Sequence, residues 1–415
     1  MYPVLARRKA RGFAIVTPIA EQHTDRVPIV RAPRAARVAV ASAFAINGIA
    51  GGNWVVRIPA IQDRLDLSEA TLGLALLGMP LGAILVMPLA GSWAARFGSR
   101  VVVRLGTFLI CAGVMLPGLA PNLIGLALAL VFYGIGNGIQ DVSMNAHGVA
   151  VEKRYGRTIM SSFHAFFSVG AMVGAIVGGL IAEAGVSTRV HLISVGLVLA
   201  VVTAFVMRYL LPATVDASGS TVREPVFVRI PRAVLGLGIV GFCALLAEGA
   251  MADWTAVYLD KTLHTSPGWA AAGYAVFSLA MTVGRLAGDR LTDQLGPVRI
   301  IQSGGIFAAV GVGLALLLAN QYVALLGFGL TGLGLSIIVP VVFSSAGRSA
   351  VIAPSRAISA VTTTGYFGFM AGPPAIGFLA HFVTLRGALV VVVGLSLVMV
   401  AMAGAVGGDA EGVSP

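Results

Sequence analysis

Charge is what this sequence has least of. Of its 415 residues only 11% are Asp, Glu, Lys or Arg, against 57% hydrophobic, and the mean hydropathy is +0.92. A soluble globular chain carries about 25% charged residues, so a water-soluble domain is excluded. Lysine occurs only at Lys9, Lys153 and Lys261, and no G-x-x-x-x-G-K-[ST] is present, which removes a P-loop and with it nucleotide-driven pumping by this chain. Cysteine is limited to Cys111 and Cys243, both inside apolar runs, where a thiol packs as a small hydrophobe; they make no disulfide framework and no zinc or redox signature. A G-x-G-x-x-G does occur at Gly236–Gly241, but inside an apolar run with no strand before it, so it reads as helix-packing glycine. No cofactor and no metal are expected.

What is present is a series of apolar runs at 38–60, 70–92, 101–120, 122–148, 159–184, 189–211, 233–259, 267–290, 298–318, 321–347, 356–382 and 385–405. A helix of about 20 residues crosses a bilayer, so the expected fold class is an all-α polytopic membrane protein with twelve transmembrane helices. Residues 1–37 form a basic tail, 212–232 a polar linker rich in Pro, Ser and Arg, and 406–415 a short tail. Every second loop is basic: of the 28 Lys and Arg only Arg57, Arg64, Arg189, Lys261 and Arg386 fall on the other side. The positive-inside rule then places both termini in the cytoplasm and accounts for the net charge of +11. Only the tail segment Arg7–Arg11 offers a basic cluster, so no nucleic-acid partner is expected. The stretch after it is too short and polar for a cleavable signal.

The second half repeats the first in register. Trp254 falls on Trp54 and Gly273 on Gly73 at an offset of 200; Gly332 on Gly134, Gly334 on Gly136, Gly368 on Gly170, Gly372 on Gly174 and Gly377 on Gly179 follow at 198. This predicts two pseudo-symmetric six-helix bundles, 38–211 and 233–405, entering the membrane with the same orientation and holding a binding site between them.

These features resemble the major facilitator superfamily over residues 35–405. Gly91–Arg100 (GSWAARFGSR) is similar to that family's G-x-x-x-D-R-x-G-R-[RK] loop, with Ala95 in place of the loop acid; Asp289–Gly296 (DRLTDQLG) is its counterpart and keeps the acid as Asp293. Asp141–Gly170 and Asn53–Pro59 (NWVVRIP) further resemble a bacterial branch that includes permeases linked to rhizopine, an inositol derivative. The resemblance implies a bacterial inner-membrane transporter whose first and fourth helices of each half line a central cavity.

Polar groups in hydrocarbon are costly, and each is a functional candidate. On span 4, Asn137, Gln140, Asp141 and Asn145 share an arc of about 140° and read as cavity lining. Asp141 is the foremost proton-coupling candidate, either titrating in transport or held in a permanent pair with Asn145 or His164. His164 on span 5 sits at a similar depth with Ser161 and Ser168, as a proton relay beside Asp141 or a packing histidine. Glu248 on span 7 is the second acid, with Thr255 and Tyr258 on its face, opposite Asn47 of span 1. Trp54 and Trp254 either stack on a sugar-like ligand or form an interfacial belt. Thr362 and Tyr366 on span 11 add cavity hydroxyls. Gate or loop-latch candidates are Arg57 with Asp253 as an outer ion pair, Arg96, Arg100 and Asp293 in the repeated loops, and Arg285 with Asp289 along span 8.

The expected function is a secondary active transporter, not an enzyme. It moves a sugar, a polyol or a related polar compound by alternating access, in symport with protons, as a monomer in the bilayer. Proton-driven export of drug-like or amphipathic solutes is the alternative.

Overall fold

A bilayer offers the backbone no hydrogen-bonding solvent, and a helix satisfies its own N–H and C=O groups. In the computed structural model, every element among the described residues (34–156, 159–212, 232–348 and 354–406) is accordingly helical. Most of the basic tail, the linker between the halves and the C-terminal tail lie outside the described residues, as do the side chains of Ser161 and Asp289.

Span 1 is Arg34–Val55, followed by a short helix, Ile58–Arg64; span 2 is Glu69–Leu76 continued by Gly78–Phe97. Span 3 (Ser99–Leu119), span 4 (Leu123–Tyr155), span 5 (Met160–Glu183) and span 6 (Thr188–Val206) complete the first half. Span 7 is Arg232–Val257, extended by a π-helical turn, Tyr258–Thr262. Spans 8 and 9 run through Pro267–Leu318 with a break at Gly296; span 10 is Gln321–Leu335 with Ile338–Gly347. Span 11 and the start of span 12 run through Pro354–Ala388 with a break at Thr384, and span 12 continues as Val390–Met402. Among the described residues eleven helices are long and apolar enough to cross a membrane, and Val390–Val406 is a shorter apolar helix. Boundaries differ from expectation where capping outlasts hydrophobicity. Span 4 runs on to Tyr155 because its stop signal is Gly156, left-handed at φ 68°, behind Lys153 and Arg154 in the last turn.

The backbone itself carries the repeat. Positive φ recurs at Asp66 (50°) and His264 (53°), at Gly98 (80°) and Gly296 (77°), and at Gly185 (74°) and Thr384 (70°). Each pair is offset by 198 or 199 residues, so the connections keep one geometry even where the residue is not glycine. Helix contacts repeat as well. A Cβ on Gly170 would meet the Ala45 backbone of span 1, and one on Gly368 the Phe242 backbone of span 7. Small residues thus let spans 1 and 5, and spans 7 and 11, approach closely.

Four of the five cations on the minority side have structural work. Arg64 donates to the carbonyls of Pro117 (2.9 Å), Gly118 (2.5 Å) and Ala120 (3.1 Å) at the end of span 3. Arg386 donates to Leu316 (2.7 Å) and Leu317 (3.0 Å) at the end of span 9, the repeat mate of span 3. Arg57 donates to the Val186 carbonyl (2.5 Å) just past span 5. Carbonyls at a helix end lack the next turn's amides, and a guanidinium supplies a donor; Pro117 O accepts from the Ala120 amide as well, at 3.4 Å. Lys261 pairs with Asp63 and, at 2.9 Å, with Asp260.

The seam between the halves is sealed at the end carrying these cations. Gly179 of span 5 lies against Ala271 of span 8, and Gly377 of span 11 against Gly73 of span 2. The 198-residue offset converts one contact into the other, which makes Ala271, and not the expected Gly273, the mate of Gly73. Glu183 accepts from the Gly268 amide at 2.7 Å, and Lys261 meets Asp63, its own repeat mate, across the seam. A contact between mates lies on the pseudo-twofold axis.

Candidate functional site

At mid-membrane the seam turns polar. On span 4, Asn145 Nδ2 donates to the Asp141 carbonyl at 2.8 Å and to Asp141 Oδ1 at 3.1 Å, one turn away. The other carboxylate oxygen, Oδ2, accepts from the Tyr366 hydroxyl at 2.8 Å. Tyr366 stands on span 11, so this bond joins the two halves. One turn before Asp141, Asn137 Oδ1 accepts from Asn47 Nδ2 of span 1 at 3.0 Å.

A second polar group centres on Arg285 of span 8. Its Nη2 meets Glu248 Oε1 of span 7 at 3.2 Å, and its Nη1 donates to Ser168 Oγ of span 5 at 2.8 Å, again across the seam. Ser168 is buried, whereas the Arg285 and Glu248 side chains keep 20% and 19% of their exposure. His164, one turn from Ser168, is exposed and turns its ring edge-on to Phe44 at 5.1 Å between centroids. It lies within electrostatic reach of Arg285. The site is therefore a polar stretch of the seam between the halves, with Asp141 and Tyr366 in one group and Glu248, Arg285 and Ser168 in the other. A groove of about 300 Å³ between spans 5 and 8, lined by Met172, Gly179 and Leu279, is almost wholly apolar and is separate from this chemistry.

Several expected partnerships are replaced by others. Asp141 bonds to Asn145 and Tyr366 and not to His164, which packs on Phe44. Arg57 is taken by Val186 and makes no ion pair with Asp253, which is half-buried on span 7. Arg285, expected with Asp289 at a gate or loop latch, is bound to Glu248 and across the seam to Ser168, and the Asp289 side chain lies outside the described residues. Gln140 is fully buried, donating to Ala43 O at 3.1 Å and Thr107 Oγ1 at 2.9 Å, so it ties spans 1, 3 and 4 together instead of facing the cavity. Thr255 donates to the Met251 carbonyl and Tyr258 to the Ala315 carbonyl at 3.1 Å, both buried within the second half. Trp54 and Trp254 are 2% and 0% exposed, which is incompatible with an interfacial belt. Trp254 packs by Gly377 at the sealed seam. Of the loop candidates, Arg100 donates to the Arg208 carbonyl at 3.0 Å within the first half, Arg96 lies over the Phe97 ring, and Asp293 is exposed. Thr362 is half-buried on span 11.

The pattern had a signal that helical spacing reveals. Tyr274 and Arg285 are eleven residues apart, three turns of one helix, and therefore share a face with Ser278 between them. Tyr274 lies within electrostatic reach of Glu248, Asp253 and Arg285. Span 8 thus supplies a polar stripe to the centre.

Comparison with known proteins agrees with this architecture. The Major Facilitator Superfamily model matches residues 40–352. An uncharacterised MFS-type transporter of Yersinia pestis is 39% identical over 375 residues, covering 89% of this chain and 95% of the relative. Membrane protein MosC of Rhizobium meliloti is 31% identical over 362 residues, covering 87% and 88%. The crystal structure of a mutant of the nucleoside transporter NupG superposes with a TM-score of 0.73 at 12% identity, covering 89% of this chain and 99% of that one.

Proposed function

The chain belongs to the Major Facilitator Superfamily, and from that premise we propose that it carries a small polar solute across the bacterial inner membrane in symport with protons. The observation that carries this reading is the placing of Asp141 and Glu248 at the seam, each tied to the opposite half through one hydroxyl: Asp141 directly to Tyr366, Glu248 through Arg285 to Ser168. Rocking of the halves breaks both links, so the charge each acid carries is felt by the equilibrium between the two arrangements. Protonating either carboxylate weakens its bond to a donor and favours separation. The amides Asn47, Asn137 and Asn145 between them suit the hydroxyls of a sugar or polyol. With both termini cytoplasmic, the sealed end is the outer one and the cavity opens inward.

A proton moving down 100 mV releases about 2.3 kcal/mol, enough to drive uptake. Solute-induced pH change in proteoliposomes tests the reading, with polyols, monosaccharides and amphipathic cations run in parallel. A solute-specific alkalinisation outside, abolished in Asp141→Asn and Glu248→Gln, is expected. Uptake that persists at the same rate after the proton gradient is collapsed sinks the coupling. Outward movement of amphipathic cations against protons replaces symport with export.

A further inference from the structure

The Arg285–Glu248 pair is loosely made for a buried ion pair. It is a single contact at 3.2 Å, whereas a guanidinium and a carboxylate in full register make two parallel bonds of about 2.7–2.9 Å. Of the five N–H donors that a guanidinium carries, two have a partner among the described residues, Glu248 and Ser168. Glu248 Oε2 has none among the described residues. Both side chains keep about a fifth of their exposure. The fork is therefore half-used, open to a further partner and in reach of both halves.

We propose that Arg285 is the solute-binding group for a small hydroxylated carboxylate, which takes the guanidinium from Glu248 while Glu248 takes up a proton. This rests on the symport reading and names its substrate class. The exchange balances: one anion arrives, one carboxylate is neutralised, and the charge of the site is unchanged. Left beside the cavity without its counter-charge, an ionised Glu248 would face the cost of an unpaired carboxylate in a desolvated site, and protonation removes that cost. A neutral polyol has no such effect, because it leaves the pair intact. The surroundings enforce the order. Asp253 on the same helix and Asp141 across the seam make the centre rich in acid, and among the described residues His164 and Tyr274 are the other titratable groups within reach of the pair. An anion enters this field only when a proton accompanies it, so binding of the two is linked.

The test uses three six-carbon probes that differ in charge: gluconate, sorbitol and glucamine. Binding to the purified full-length protein is read by thermal stabilisation, and proton uptake by an indicator dye in weak buffer. Gluconate is expected to bind with uptake of one proton, its apparent Kd rising about tenfold per pH unit once Glu248 ionises. Glu248→Gln removes that pH dependence and keeps gluconate binding; Arg285→Gln abolishes binding. Arg285→Lys keeps the charge but loses the planar fork, and weakens binding about tenfold or more. Sorbitol or glucamine bound in place of gluconate overturns the proposal, as does gluconate binding that survives Arg285→Gln or an absence of binding by all three. Sorbitol-driven proton movement that survives Arg285→Gln removes the anion site and leaves symport standing. Gluconate bound at Arg285 without any proton overturns the exchange.

Discussion

Gly179 lies against Ala271 on one side of the seam and Gly377 against Gly73 on the other, and the internal repeat exchanges the two contacts. The charged residues of the centre follow no such rule. Positions 198 residues away from Asp141, Glu248 and Arg285 hold Val339, Ala50 and Met87. Glycine contacts and connection geometry are thus common to both halves, while the acids and the arginine belong to one half each. A twofold scaffold gives two equivalent ways of rocking; an asymmetric centre gives the solute one way to bind. Shared residues should therefore govern stability in equal pairs, and unshared ones should govern transport singly.

The largest effect is expected where the comparison is closest. Gly170→Leu and Gly368→Leu each force a side chain against a neighbouring backbone that cannot rotate away. Overpacking of this kind costs about 1–3 kcal/mol and occasionally more. Thermal unfolding in detergent should show two similar losses. A loss in one variant alone would break the equivalence of the halves. Next in size are the helix-end arginines, Arg64 on span 3 and Arg386 on span 9. Removing either leaves carbonyls without a donor, at about 1–2 kcal/mol. Arg64→Ala should cost about as much as Arg386→Ala, because Pro117 O keeps the Ala120 amide as a donor and each substitution leaves two carbonyls without one. Clearly unequal losses would separate the two caps.

Fold and site were not equally legible. Hydrophobic runs, the basic alternation of loops and glycines in a fixed register are written along the chain, so the twelve helices and the repeat follow from spacing. Partnerships between helices are not. Arg285 at the end of an apolar run satisfies the positive-inside bias by itself, and nothing local shows that Glu248, 37 residues earlier, meets it. Gln140 shares the polar arc of span 4, yet a wheel gives a direction and not the neighbour met there, which is Thr107. Tyr258 lies ten residues on from Glu248, about 80° round the helix, and there its hydroxyl meets the Ala315 carbonyl of span 9. Tyr274 belongs to a stripe that becomes visible once Arg285 is taken as its anchor.

The smallest effect tests the axis itself. Asp63 and Lys261 are repeat mates that meet across the seam at the sealed end, with 63% and 27% of their side-chain surface exposed. Exposed pairs contribute about 0.2–1 kcal/mol, so Lys261→Ala should barely change the unfolding temperature. Its consequence lies in the balance between sealed and open arrangements, where 1 kcal/mol shifts a population about fivefold. Labels at the sealed ends of spans 2 and 11, measured for distance, should report more of the open arrangement in Lys261→Ala and in Asp63→Ala. Because the pair sits on the axis, exchanging the charges remakes it: Asp63→Lys combined with Lys261→Asp should move the distance distribution back toward that of the wild type. Asp260, which also holds Lys261, is an adjacent residue in the same half and has no counterpart beside Asp63, where Gln62 stands. Restoration should therefore fall short by the share that Asp260 contributes, and it should become complete in a background carrying Asp260→Asn. A swap that restores nothing in either background would mean that the seal rests on the Gly179 and Gly377 contacts and the Glu183–Gly268 bond.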